Sequence, residues 1–172
     1  LHIRAGSRSA ALDAVIAQVG VTQGSFVQTA AALEQLTLVH LSPSTIRAAT
    51  HAVGQQVVEQ RDAAAAAAQH GHDPVATEPV PDRLYLSMDG VLVNTREQGW
   101  KEVKVGCSFT TTTPRSQQAL PLVEQTPRAT DLHYVATLHD AHDFGWVLWT
   151  AAMQRGVATA PEVVVLGDGA HW

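Results

Sequence analysis

The chain has one cysteine, Cys107, among 172 residues, so no internal disulfide framework holds it together. A lone thiol suits a reducing compartment. Its strand-like setting makes Cys107 a small core residue rather than a nucleophile. Charge is also scarce: 16% of residues are Asp, Glu, Lys or Arg, on the low side for a globular protein. The balance is negative, −5 at pH 7. That excludes a protein gripping nucleic acid by bulk charge and leaves room only for a local basic face. No apolar run approaches the ~18 residues of a membrane span, so no membrane partner is expected. The first residues carry no signal-peptide pattern. An apolar content of 45% is ordinary for a globular chain of one or two domains.

The first third reads as helical. Leu12, Val15, Ile16 and Val19 recur at helical spacing, and Gly20 is expected to stop the run. Ser25 is a good N-cap for a second helix, with Phe26, Ala30, Leu33 and Leu36 on one stripe. Ser42-Pro43 places a capping hydroxyl before proline at the first helical position, which starts a third helix. That helix carries Ile46, Ala49, Val53 and Val57 and extends toward Ala63–Ala68. Short helices, a tight link and the opening Ser42–Arg47 look like a helix-turn-helix, and equally like a plain helical hairpin. A DNA reader presents Arg, Asn or Gln at the N-terminus of its recognition helix, and only Arg47 qualifies.

Prolines at 74, 79 and 81 block helix and central strand, so residues 69–82 read as a linker. His70 and His72 there lack a further ligand and read as solvated. From residue 83 the pattern turns to strands. A first strand is expected to end at Asp89, with a turn over Asn94–Gly99. A second then alternates Val103, Val105, Cys107 and Phe109 against Trp100, Glu102, Lys104 and Gly106. Trp100 is expected to cap the core, residues 110–130 to form a loop, and Leu132–Leu138 a third strand. A helix follows with Phe144, Val147, Leu148, Ala151 and Ala152 on one stripe, and Arg155-Gly156 closes it. Asp140 and Asp143, beside His139 and His142, fit the N-terminal turn of that helix, where the macrodipole favours acids. The run Val163–Leu166 reads as a parallel strand buried on both faces.

Asp89 and Asp168 stand out in this pattern. Each follows an apolar strand-like run and precedes a glycine: Leu84-Tyr85-Leu86-Ser87-Met88-Asp89-Gly90 and Val163-Val164-Val165-Leu166-Gly167-Asp168-Gly169. A carboxylate at the end of a strand is held firmly and reaches the edge where open sheets bind ligands. Two on neighbouring strands can share a hard cation such as Mg²⁺, which takes oxygen ligands and keeps several waters. The expected class is α+β or α/β. It comprises a helical, helix-turn-helix-like region at residues 1–68, the linker at 69–82, and a β-β-β-α-β domain at 83–172. That order is the opening half of a ribonuclease-H-like fold, with the two aspartates side by side at the sheet edge.

Three segments carry a family resemblance: Met88-Asp89-Gly90-Val91, then Trp100-Lys101-Glu102-Val103-Lys104-Val105-Gly106, then Gly167-Asp168-Gly169-Ala170-His171-Trp172. Together they resemble the insertion-sequence transposases of the Kra group, bacterial DDE-type enzymes with a ribonuclease-H-like catalytic domain. The helical segments from Ser25 to Gly54 are similar to that family's region ahead of the catalytic domain. The resemblance implies metal-dependent phosphodiester cleavage and strand transfer on DNA at the ends of an insertion sequence. It implies Mg²⁺ or Mn²⁺ as cofactor, Asp89 and Asp168 as catalytic metal ligands, and a later acid, usually Glu, as the third. It also implies a cytoplasmic, nucleoid-associated location. The chain ends four residues after Asp168, so the expectation is a truncated, catalytically inactive fragment. Arg47, Lys101 and Lys104 are the candidate nucleic-acid contacts, and His171 is placed to tune Asp168. A half-formed sheet with an unpaired edge makes a homo-oligomer possible.

Two other readings follow from the same residues. One is a DNA-binding remnant that does not cut. The other is similarity of Asp89-Gly90-Val91-Leu92-Val93-Asn94-Thr95 to the first motif of haloacid-dehalogenase-like phosphatases. There the nucleophilic aspartate stands two residues earlier; here that place holds Ser87, which forms no aspartyl-phosphate.

Overall fold

The computed structural model describes residues 8–77, 79–114, 117–122 and 125–169. His171 therefore lies outside the described residues. In chain order the elements are α1 (Ala10–Thr22), α2 (Phe26–Thr37), α3 (Pro43–Gln69), β1 (Arg83–Thr95), β2 (Gly99–Thr112), β3 (Arg128–Thr137), α4 (Ala141–Gln154) and β4 (Glu162–Leu166). The class is α+β. Two compact units divide within α3, between Arg61 and Asp62. Among the described residues no helix is long and apolar enough to cross a membrane.

In the first unit local chemistry sets the helix starts. Ser9 Oγ accepts from Leu12 N–H at 3.2 Å, Ser25 Oγ from Gln28 N–H at 3.2 Å and Ser42 Oγ from Thr45 N–H at 3.2 Å, each satisfying an orphan donor of a first turn. Ile16, Leu33, Ile46 and Ala49 form the core, with Leu12, Val19, Phe26, Ala30 and Leu41 packed on it. Gly20 does not stop α1. A Cβ there would stand 2.5 Å from Thr50 Oγ1, so glycine serves the close approach of α1 to α3.

The second unit is a four-stranded sheet in the order β3-β2-β1-β4. β1 and β2 pair antiparallel from Tyr85↔Phe109 to Thr95↔Gly99, and β2 pairs antiparallel with β3. β4 runs parallel to β1 from Arg83↔Glu162 to Ser87↔Leu166. α4 packs on one face only. Gly106 admits it: a Cβ there would meet Leu148 Cδ1 at 2.7 Å, Val135 Cγ2 at 3.0 Å and Phe144 Cζ at 3.4 Å. Under α4 lie Leu84 and Leu86, with Phe144, Val147, Leu148 and Ala152 buried on the helix side. Gly156 ends α4 at φ +81°, a left-handed position glycine adopts without steric cost, and its N–H returns to Met153 O at 2.9 Å.

Several expectations are corrected here. β1 does not end at Asp89; it runs on to Thr95, because an unbroken antiparallel ladder with β2 outweighs the weak strand propensity of Asp-Gly. The turn narrows to residues 96–98, and both ends of the loop expected over 110–130 belong to strands, since the β2–β3 ladder reaches Thr112↔Arg128. Trp100 caps no core: it is 68% exposed near the hairpin tip. β4 is an edge strand whose Val165 is 60% exposed, not a strand buried on both faces.

Candidate site at the β1–β4 edge

Alternation sorts the sheet into two unlike faces. Leu84, Leu86, Met88, Lys104, Gly106 and Ser108 share the α4 side. Tyr85, Ser87, Asp89, Val103, Val105, Cys107 and Phe109 share the other. No residue of that second set is buried. Tyr85 and Phe109 stack on it with ring centroids 5.1 Å apart. Arg83 joins β1 to β4 through Glu162 at 2.6 Å and donates to the Tyr85 hydroxyl at 3.4 Å. That hydrogen bond lowers the phenol's pKa below its ordinary value. Burial, the larger influence, raises the Cys107 thiol, which keeps it protonated and unreactive.

Asp89 lies on this open face, exposed, opposite Val105, with Gly90 N–H donating to its Oδ1 at 2.7 Å. Asp168 is exposed two residues past the end of β4. Throughout the β1–β4 ladder paired residues differ by 79 in number (162 − 83, 166 − 87), and Asp168 differs from Asp89 by the same 79. The ladder itself ends at Ser87↔Leu166, two residues short of both aspartates. Ionised carboxylates only accept hydrogen bonds, and such a donor set suits a hard divalent cation that keeps most of its waters. Among the described residues no three His, Cys, Asp or Glu side chains are grouped to hold a metal, so the pair supplies at most two protein ligands.

The remaining candidates separate. Lys101 pairs with Val93 and is exposed on the face that bears Asp89. Lys104 pairs with Gly90 on the α4 side, is 9% exposed, and is bound to Glu102 at 2.8 Å. Arg47 is exposed in the second turn of α3, in the other unit. Asp140 caps α4, its Oδ1 accepting Asp143 N–H at 2.9 Å, which lowers its pKa. His139 stands between Asp62 and Asp143 at 3.7 and 3.8 Å. A cleft of about 780 Å³ lies between the end of α3 and α4, lined by Asp73, His142, Trp146 and Trp149, and neither candidate aspartate borders it.

Sequence reasoning separated the two faces of β2 but missed which of them the helix covers. The signal was present: Lys104, Gly106 and Ser108 alternate with Val103, Val105, Cys107 and Phe109. The small residues mark the side a helix approaches. Comparison with known proteins finds no family model, no curated protein and no solved structure that matches this chain.

Proposed function

We propose that the chain carries a helical region and a ribonuclease-H-like sheet of a DDE-type DNA transposase. The observation that carries this reading is the parallel pairing of β1 with β4, whose ladder ends two residues short of Asp89 and of Asp168. The strand order β3-β2-β1-β4, with β4 parallel to β1, supports it. Asp89 and Asp168 are the residues that would hold Mg²⁺ or Mn²⁺. Such ions supply an activated water or 3′-hydroxyl and stabilise the leaving oxygen of a phosphodiester. β1 fixes Asp89, and its open face leaves a scissile phosphate access to that carboxylate. Arg47, in the helical unit, is the candidate DNA contact of that unit.

Metal binding tests the site apart from activity. Titration with Mn²⁺, followed by water-proton relaxation, is expected to show weak saturable binding that both Asp89→Asn and Asp168→Asn abolish. Binding that survives both substitutions would refute the site.

A further inference from the structure

The cleft between the end of α3 and α4 has a chemistry of its own. Trp146 and Trp149 stand three residues apart on α4, and both border it. Each indole is tied at its N–H. Trp149 Nε1 donates to Asp73 Oδ1 at 2.8 Å, and Trp146 Nε1 donates to His142 Nε2 at 3.3 Å. What the two rings have left to offer a ligand is carbon surface. A ring nitrogen that accepts carries no proton, so His142 adds no positive charge in this arrangement. Asp73 is exposed, and its one bond to Trp149 leaves acceptor capacity on the carboxylate. Among the described residues that line the cleft there is no lysine or arginine.

Gly145 is a second, independent observation. Glycine inside a helix is destabilising relative to alanine. No packing demands it here, since a Cβ would meet nothing within 4 Å. The residue borders both this cleft and the apolar pocket beside it, which Leu86, Met88, Phe144 and Leu148 line. A side chain at 145 would stand in that space, and glycine keeps it open.

We infer that this cleft binds a quaternary ammonium head: a trimethylammonium group, on a free small molecule or on a lysine side chain. Charge complementarity selects the sign, because a carboxylate with no basic neighbour in the lining repels anions and attracts cations. Indole is the strongest side-chain partner for a cation over a ring face. Carbon surface suits a head that carries no N–H. A primary ammonium brings three donors and would give up water without replacing it. A metal ion fails on the same ground, since it takes several oxygen ligands and the lining offers one carboxylate. Neither Asp89 nor Asp168 borders the cleft, so this site stands or falls apart from the function proposed above.

The test titrates the full ¹⁵N-labelled chain with choline at constant ionic strength and follows the indole N–H signals by NMR. The Trp146 and Trp149 signals are expected to move and saturate. That of Trp100, 68% exposed on the β1–β2 hairpin, is expected to stay still. The neutral carbon isostere of choline, 3,3-dimethylbutan-1-ol, is expected to bind about tenfold more weakly. N-acetyl-trimethyllysine methylamide separates the two sources: tighter binding than choline assigns a lysine-borne head, weaker binding a free molecule. Asp73→Asn keeps an acceptor for Trp149 and removes the charge, and is expected to weaken choline by up to about fivefold. Gly145→Leu is expected to melt no lower than the unaltered chain, since leucine is the better helix former and meets open space, and to lose the shifts. Equal binding of the neutral alcohol overturns the cation assignment. Shifts absent with both ammonium probes, shared equally by Trp100, or kept in full by Gly145→Leu overturn the site.

Discussion

The two faces of the sheet solve different problems with the same strands. Toward α4 the chain places Leu84 and Leu86, then glycine and serine at 106 and 108 where the helix comes nearest. On the opposite face it places Tyr85, Val103, Val105, Cys107 and Phe109, a more apolar set, and leaves it half-buried. The covered face gains stability from shape, and small residues are what allow the helix to dock. The open face holds unspent apolar surface together with Asp89. A face of that size and polarity is what binding sites use.

If stability resides on the α4 side, truncation there must cost far more than truncation opposite. Leu84→Ala is expected to destabilise by about 2–5 kcal/mol, the range for a fully buried leucine. Tyr134→Ser, on the open face at 65% exposure, is expected to stay within about 0.5 kcal/mol. Urea denaturation gives both values, and near-equal losses would erase the distinction between the faces. Gly106→Val is the next largest change. Its side chain meets Leu148 and Phe144, and an overpacking cost of about 1–3 kcal/mol is expected. A stabilised Gly106→Val chain would mean that α4 does not seat there.

The smallest effect is on pH dependence, at the start of α4. Hydrogen bonding by Asp143 N–H lowers the Asp140 pKa in the folded state. A depressed carboxyl contributes stability that is present above the ordinary aspartate value, about 3.9, and is lost as pH falls through the folded pKa. Asp140→Asn keeps a capping oxygen but cannot titrate. Its melting temperature is expected to fall less steeply than that of the unaltered chain below about pH 4. Matching acid limbs would show that the cap contributes nothing to that pH dependence.

Local chemistry was legible where one or two residues decide the outcome. Ser25 and Ser42-Pro43 start α2 and α3, Asp140 starts α4, and Arg155-Gly156 ends it, because a cap needs only its own turn. The strands β1 to β4 were legible as apolar runs, although Asp-Gly was read as the end of β1. Partners were not legible. The sequence of β4 reads as buried, and only the strand order makes it an edge. Gly20 reads as a helix stop, and only Thr50, thirty positions away, makes it a packing residue. The sequence by itself determined which segments are helix and strand, and that two carboxylates follow apolar runs, since these depend on neighbours along the chain. Tertiary structure alone decided which strands neighbour one another, and that Asp89 and Lys101 share one face of the sheet while Lys104 lies on the other. Register and face belong to pairs of strands, and hydrogen bonds between distant segments set them.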